Sequence, residues 1–249
     1  MLAAIMQPTY LPWIGYFDLI DQADVFVFLD SVQFEKQTWQ QRNRIRTANG
    51  LEWLTVPVFI KGRFGQSIRD VVIRTTGFPD KHIRALKQHY GKAPYCGEYL
   101  GELEEIIFSA RNDPSLARLN IALIRWLSDR LGIPGRFSCA SELAAEGERS
   151  TRLVSILQAL GATRYLSPRG SMDYLRSDRQ VFGKAGIPIV VQDYAHPEYR
   201  QLYRPFEPGA SAIDLLFNEG PGAAEIIRAG RRRSIPIDEV INHAADAHS

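Results

Sequence analysis

The sequence predicts an α/β fold: a mostly parallel sheet with helices on both faces, Rossmann-like, carrying a β-hairpin and helical insertion. Two observations lead there. Short runs rich in Val, Ile, Phe and Leu alternate with segments whose apolar residues recur at helical spacing, and the alternation holds in both halves of the chain. No Gly/Ser linker or shift in composition divides the 249 residues, so 1–234 is expected to be one domain with an insertion over about 51–131 and a peripheral tail at 235–249.

Taken in order, "LAAIMQP" is an apolar run stopped by Pro8 and predicts a buried strand. In "GYFDLIDQA", Tyr16 or Phe17, Leu19, Ile20 and Ala23 fall at helical spacing, and "DVFVFLD" follows as a β-branched and aromatic strand. "WLTVPVFI" and "IRDVVIR" flank the Gly-rich "KGRFG", the pattern of a β-hairpin or a pair of edge strands. Residues 80–131 are mostly helical in pattern, with "SLARLNIALIRWLSDRLGI" as the last helix. "RFSCASE" then predicts a strand, "STRLVSILQALGA" a Ser-capped helix ended by Gly161, and "TRYLSP" a strand; "SDRQVFGKAGI" and "PIVVQDY" add another such pair. In "ASAIDLLFNEG", Ser211 caps a short helix with Asp214 in its first turn, which is nearly a capping box.

The composition is ordinary for a globular protein, with 45% hydrophobic and 23% charged residues. No apolar run approaches the ~20 residues that span a bilayer, and "MLAAIMQP" lacks the basic start of a signal peptide, so no membrane span and a cytoplasmic location are expected. Cys96 and Cys139 make no disulfide framework or zinc pattern, and the five histidines form no HxH, HxxxH or HExxH. No protein-held metal and no cofactor is therefore expected, apart from a Mg²⁺ that bridges a phosphorylated substrate. The formal charge of +2 is uneven: residues 61–92 hold 8 Lys/Arg against 2 Asp/Glu, leaving the remainder at −4. A local basic surface suits a phosphorylated ligand or an RNA backbone better than DNA; a solvated charged face fits the same pattern.

In an open α/β sheet, ligands bind beyond the carboxyl ends of the strands, where helix N-termini present free N–H groups. "QPTYLPWIGYF" stands there after the first strand and contributes Gln7. Pro8 and Pro12 stiffen the turn, Gly15 permits close backbone approach, and Tyr10, Trp13 and Tyr16 form a stacking wall or else tuck under the helix. "PWIGY" also falls where the HIGH-signature nucleotidyltransferases carry a phosphate-gripping HxGH, but both histidines are missing. After the second strand, "DSVQFEKQTWQQRNRIR" brings Asp30, Gln33, Lys36, Gln40, Arg42, Asn43 and Arg46, groups that read hydroxyls and phosphates; surface ion pairing is the rival role for Lys36 and Arg42. "HPEYRQ" supplies His196, Tyr199 and Gln201. His196 suits a general base because its unperturbed pKa of ~6.5 lies near working pH, and a turn residue is its alternative. His89 and Tyr90 in "KQHYGKAPY" give a second imidazole-bearing loop or a helix-end cap. "YLSPRGSMDYL" sets Ser167, Arg169, Gly170 and Ser171 where an anion can be held, without a Walker Lys. Nothing argues for covalent catalysis: there is no GxSxG elbow and no Cys beside a His.

The segments "QPTYLPWIGYFDLIDQADVFVFLDSVQFEKQTWQQRNRI", "WLTVPV", "HYGKAPY", "YLSPRGSMDYL" and "HPEYRQLYRPFEPGASAIDLLFNEG" together resemble the WbqC-like family, in order and over about nine-tenths of the chain. That family is bacterial and often encoded among O-antigen and other surface-polysaccharide genes. The resemblance implies a role in building or decorating an activated sugar, with transfer of an acyl or aminoacyl group, notably glycyl, onto an amino sugar as one proposal. It brings no settled catalytic residues, so the roles rest on chemistry: His196 or His89 as base, Asn43 and Gln40 as oxyanion or hydroxyl donors, Lys36 and Arg42 as phosphate clamps. Gln7, Tyr10, Trp13, Tyr16, Asp30, Gln33, Tyr199 and Gln201 complete the expected substrate site, with Gln7, Asn43 and His196 lining one cleft. The expected partners are a phosphorylated or sugar-nucleotide substrate and, as donor, an acyl carrier or an aminoacyl-tRNA. A non-catalytic sugar-nucleotide or RNA-binding module and a nucleotidyltransferase of the HIGH-signature type are the alternatives.

Overall fold

The chain lays down β1 (Leu2–Met6), α1 (Ile14–Gln22) and β2 (Val25–Phe28), then β3 (Arg42–Thr47) and β4 (Gly50–Thr55), then α2 (Phe78–Tyr90), α3 (Cys96–Ser109) and α4 (Leu116–Arg130). It continues through β5 (Phe137–Cys139), α5 (Arg149–Ala159), β6 (Arg164–Ser167), α6 (Met172–Lys184) and β7 (Ile189–Val191). It closes with α7 (Ala212–Glu219), α8 (Ala223–Ala229), β8 (Ile235–Pro236) and α9 (Ile237–Asp246). The structure, a computed structural model, describes residues 1–246, apart from the side chains of 173 and 242–246.

Six strands form one sheet in the order β5-β2-β1-β6-β7-β8, parallel throughout except for the β7–β8 pair. β1 lies inside it, with Ala3 paired to Val25 on one side and Tyr165 on the other. Side chains alternate across the sheet as the pleat requires. Ala4, Phe26, Phe28 and Leu166 enter a large core with α1, α2, α3, α4, α7 and α8, while Ala3, Ile5, Val25, Val27 and Tyr165 enter a second core with α5, α6 and Ile237. Strands covered on both faces must be apolar throughout, which is why β1 and β2 read as unbroken apolar runs. Helix α1 docks through Phe17, Leu19 and Ile20, all buried, at about 1.5–3 kcal/mol for each such side chain. The fold is therefore α/β and Rossmann-like, with helices on both faces of a mostly parallel sheet.

Because α1 covers the first face and α6 the second, the chain leaves the adjacent strands β1 and β6 in opposite directions. A crevice opens at such a point, beyond the carboxyl ends of the two strands.

The hairpin lies earlier than the pattern around "KGRFG" predicts. It consists of β3 and β4, turned by Ala48 and Asn49, with Thr47 paired to Gly50, whose φ of 112° a side chain would resist. Residues 56–74 form an irregular loop instead, tied by single bridges such as Val58 to Ile73 and by one short turn of 3₁₀ helix over Ile68–Asp70. Arginines disguise β3: Arg42 and Arg44 stand on its outer face, with Arg46 further along but buried, and give the segment the look of a polar loop, although Asn43 and Ile45 are buried on the other. Helices α2, α3 and α4 occupy the predicted 80–131 region. Helix α5 is capped at Glu148, in a capping box with Thr151, whereas Ser150 donates to Asp178. Ser211 does cap α7, accepting from Ile213 N. At the far end β8 extends the sheet edge beside β7; residues 247–249 of the expected tail lie outside the described residues. Among the described residues, no helix is long and apolar enough to cross a membrane.

Candidate functional site

A cleft of about 580 Å³ occupies the crevice between β1 and β6. Its first wall is the loop from Gln7 to Trp13, and its shape is set by side chains from elsewhere. Asn43 Nδ2 donates to the carbonyls of Tyr10 (3.2 Å) and Leu11 (2.8 Å), and Asn120 Nδ2 of α4 donates to those of Pro8 (3.0 Å) and Gln40 (2.7 Å). These bonds hold buried Leu11 at φ 43°, a left-handed conformation that costs a non-glycine residue about 1–3 kcal/mol and tends to occur at functional sites.

Three amides shape the cleft floor, and the network fixes their orientation. Gln40 Oε1 accepts from Glu35 N (3.0 Å), so its Nε2 donates to Gln7 Oε1 (2.8 Å). Gln7 is left with its NH₂ group for the cleft. Gln192 Nε2 donates to Gly15 O (2.9 Å) and to Asp18 Oδ2 (2.6 Å), so Gln192 is left with its carbonyl oxygen. Asp18 is itself fully buried and held by Arg231 Nε at 2.7 Å and by Gln22. The cleft is thus offered one amide donor and one amide acceptor, each fixed from behind.

Aromatic rings complete the walls. Trp13, just before α1, lies across Gly15, where an added Cβ would stand 2.3 Å from the indole; the glycine accommodates a tryptophan, not a ligand. Trp13 packs edge-on to Tyr194 and stacks on His196 at 5.9 Å between ring centroids. Arg169, Gly170, Ser171 and Tyr174 form the opposite rim, with Arg169 reaching Asp193. A second lobe of about 290 Å³ adjoins between Trp13 and Trp39 and is bordered by Asn43, Arg44 and Gly209. Trp39 is 48% exposed, pairs with Trp53 at 5.2 Å, and lies with it under the guanidinium of Arg44. Such an array accepts flat or ring-shaped groups.

Of the residues proposed from sequence, Gln7, Trp13, Tyr16 and Gln40 line the cleft together with Arg169, Gly170 and Ser171 of the anion-holding loop, and Asn43 borders the second lobe with its NH₂ already engaged by the loop. The others lie elsewhere. Tyr10 is buried and donates to His82 Nδ1 (2.7 Å), since His82 Nε2 donates to Thr55 O. Asp30 accepts from Ser141 N and Oγ and closes the end of β2 against the segment after β5. Gln33 and Lys36 are exposed, and Arg42 lies over Trp53 at 4.2 Å. His89 stands at the end of α2, its carbonyl accepting from Tyr203.

Tyr199 (2.8 Å) and Gln201 (2.9 Å) donate to Asp214 Oδ2, in a buried network near Tyr90 and Arg46. Burial raises the Asp214 carboxyl above its ordinary range despite these donors. His196 is part of the same support. It stacks between Trp13 and Tyr199, donates from Nδ1 to Pro197 O, and lines neither lobe. Burial lowers its pKa, although the bond to the Pro197 carbonyl acts the other way, and Nε2 is buried and unpartnered.

Sequence reasoning did not reach Gln192, Trp39, Arg44, Tyr174, Tyr194 or Asn120. One signal was available: Gln192, like Gln7, is the first residue after a parallel strand. Among the described residues, no group of three His, Cys, Asp or Glu stands close enough together to hold a metal ion.

The chain is similar to known proteins over nearly all of this architecture. An uncharacterized protein of Mycobacterium tuberculosis, Rv1507c, is 37% identical over 230 residues, which cover 92% of this chain and 98% of that protein. No solved structure matches. A model of the WbqC-like protein family matches residues 7–226, from the first cleft residue after β1 into α8, and on that match the chain belongs to the WbqC-like protein family.

Proposed function

We propose that the protein is a transferase that places an acyl or aminoacyl group, such as glycyl, on an amino group of an activated sugar or related amine acceptor, and that the acceptor lies in the cleft between β1 and β6. The observation that carries this reading is the fixed amide pair on the floor. Gln192 Oε1 is placed to accept from an acceptor N–H or O–H, and Gln7 Nε2 to donate to an oxygen, while Trp13 supplies a face for the sugar ring. Arg169 and Ser171 on the rim suit the phosphates of the activated sugar, and the Trp13–Trp39 lobe suits its base.

In the reaction the amine nitrogen attacks the acyl carbonyl carbon, a C–N bond forms, the bond to the donor's sulfur or oxygen breaks, and the amine proton leaves with that group. The step balances without a charged protein base, and positioning supplies the rate. His196 supports Trp13 from behind. The deciding experiment incubates the protein with nucleotide-linked amino sugars and glycyl donors, as thioester and as charged tRNA, and reads products by mass spectrometry. N-glycyl product that Gln192→Ala abolishes supports the reading. Tight sugar-nucleotide binding with no product from any donor would instead favour a non-catalytic binding module.

A further inference from the structure

The loop after β4 carries an apolar tip on a basic base. Phe64 is 102% exposed and Phe59 and Ile60 are 47% exposed each, while Lys61, Arg63 and Arg69 lie in a stretch with no acidic residue between Glu52 and Asp70. The tip is built, not frayed. Phe59 N donates to Val72 O (2.9 Å), Arg63 N to Ile60 O (3.2 Å), and Gln66 Nε2 to Phe59 O (3.3 Å); Phe34 N donates to Gln66 O (2.9 Å) and fastens the loop to the segment after β2. Gly62 and Gly65, at φ 74° and 70°, make the turns on either side of Phe64. A lone exposed apolar residue needs no explanation, but three large ones within six residues, held outward by an ordered backbone, mark an interaction surface.

At the base of this loop lies a cavity of about 730 Å³, where Phe59 meets Arg74, Thr75, Thr76, Lys81 and Arg111. Arg111 holds Asp80 through Nη2 at 2.7 and 2.9 Å. Among the described residues no carboxylate pairs with Arg74 or Lys81, so the cavity presents two uncompensated cations and two hydroxyls beside an apolar tip.

We propose that the loop and this cavity dock the protein on an anionic bilayer surface. Phe64 and Ile60 enter the boundary between headgroups and acyl chains, Lys61 and Arg63 remain at headgroup level, and the cavity takes a lipid phosphate between Arg74 and Lys81. The shape favours a bilayer over RNA, because single strands are held in grooves lined by stacking rings, whereas these side chains project from a tip and one of them is aliphatic. Charge argues against a second copy, since a two-fold contact through the loop would set Lys61, Arg63 and Arg69 against their own equivalents. The docking surface is independent of the transferase reading and stands or falls separately from it.

The test is co-sedimentation of the full chain with vesicles of phosphatidylcholine alone and of phosphatidylcholine with phosphatidylglycerol. Binding is expected only to the anionic vesicles, falling about fivefold for Lys61→Ala and tenfold or more for Phe64→Asp. Phe64→Asp should melt with the wild type, because the side chain is fully exposed. Arg74→Glu with Lys81→Glu should weaken binding by a similar factor; unchanged binding in that double variant overturns the phosphate assignment. Failure of the wild type to sediment, or equal sedimentation of Phe64→Asp, overturns the docking surface. So does a dimer in light scattering that Phe64→Asp dissolves, or a salt-steep retention of total tRNA that involves the same loop without vesicle binding.

Discussion

Gln40 Nε2 donates to Gln7 Oε1 at 2.8 Å, and this one bond decides that the cleft meets the NH₂ of Gln7 and not its oxygen. Gln7→Ala should therefore weaken binding of an amino-sugar nucleotide about fivefold, near the ~1 kcal/mol of a single hydrogen bond, and cost about 1 kcal/mol of stability because Gln40 Nε2 loses its acceptor. Gln40→Leu should do both kinds of damage too, and it also leaves Glu35 N without its acceptor; a stability loss of about 1–3 kcal/mol is expected. Calorimetric titration and urea unfolding of the two variants check the pair.

His196 separates two accounts of the site. As a flat support between Trp13 and Tyr199 it is replaceable by another ring, so His196→Phe should keep turnover within a few-fold of wild type, whereas His196→Ala should lower the melting temperature and loosen Trp13. A loss of about 10² to 10⁴ in turnover for the Phe variant would return the imidazole to the role of general base.

Acid stability should carry the mark of His82. Burial pushes its pKa down to about 4, although the bond to the Thr55 carbonyl acts the other way, whereas in the unfolded chain the imidazole titrates near ~6.5. Between those values the unfolded state binds the extra proton, so stability falls as pH drops from about 6.5 to 4, by about 3 kcal/mol in all, and is flat in this respect above about 6.5. Asp214 acts in the opposite sense, since its raised folded pKa means stability lost as pH rises through it. Comparing urea midpoints of wild type and His82→Gln across the window isolates the imidazole: the variant's profile should be flatter.

Asn120 should behave as a site residue although it lies in the insertion. Its NH₂ group holds the carbonyls of Pro8 and Gln40, and Asn120→Ala leaves both without that donor. An expected stability loss of about 2–3 kcal/mol, accompanied by weaker ligand binding, is measurable by denaturation and titration. Full ligand affinity in that variant would show that the loop keeps its shape unaided.

The first strand, helix and strand were legible because their periods are local, and the rule that ligands gather at strand ends points to the segment whose Gln7, Trp13 and Tyr16 line the cleft. Partnership was not legible. Nothing in "HPEYRQ" reveals that Tyr199 and Gln201 turn inward to Asp214, and nothing after "DVFVFLD" reveals that Asp30 is taken by Ser141. Those choices belong to tertiary packing across 13 to 111 residues. The hairpin was displaced for a different reason: the outward arginines of β3 masked its period of two, and Asn49–Gly50 was the overlooked turn signal.

The loop and helix that begin the cleft are among the first parts of the chain to be synthesised; Asn43 can fasten the loop early, yet other ties are made late. Asn120 reaches Pro8 across 112 residues, Gln192 reaches Gly15 across 177, and Arg231 reaches Asp18 across 213. Contacts so far apart in sequence close slowly, since chain entropy must be overcome before they form. On the ribosome, then, the first strand, helix and strand can assemble early while the crevice waits for β6 and its last ties wait for Arg231, so the scaffold and the site are completed together.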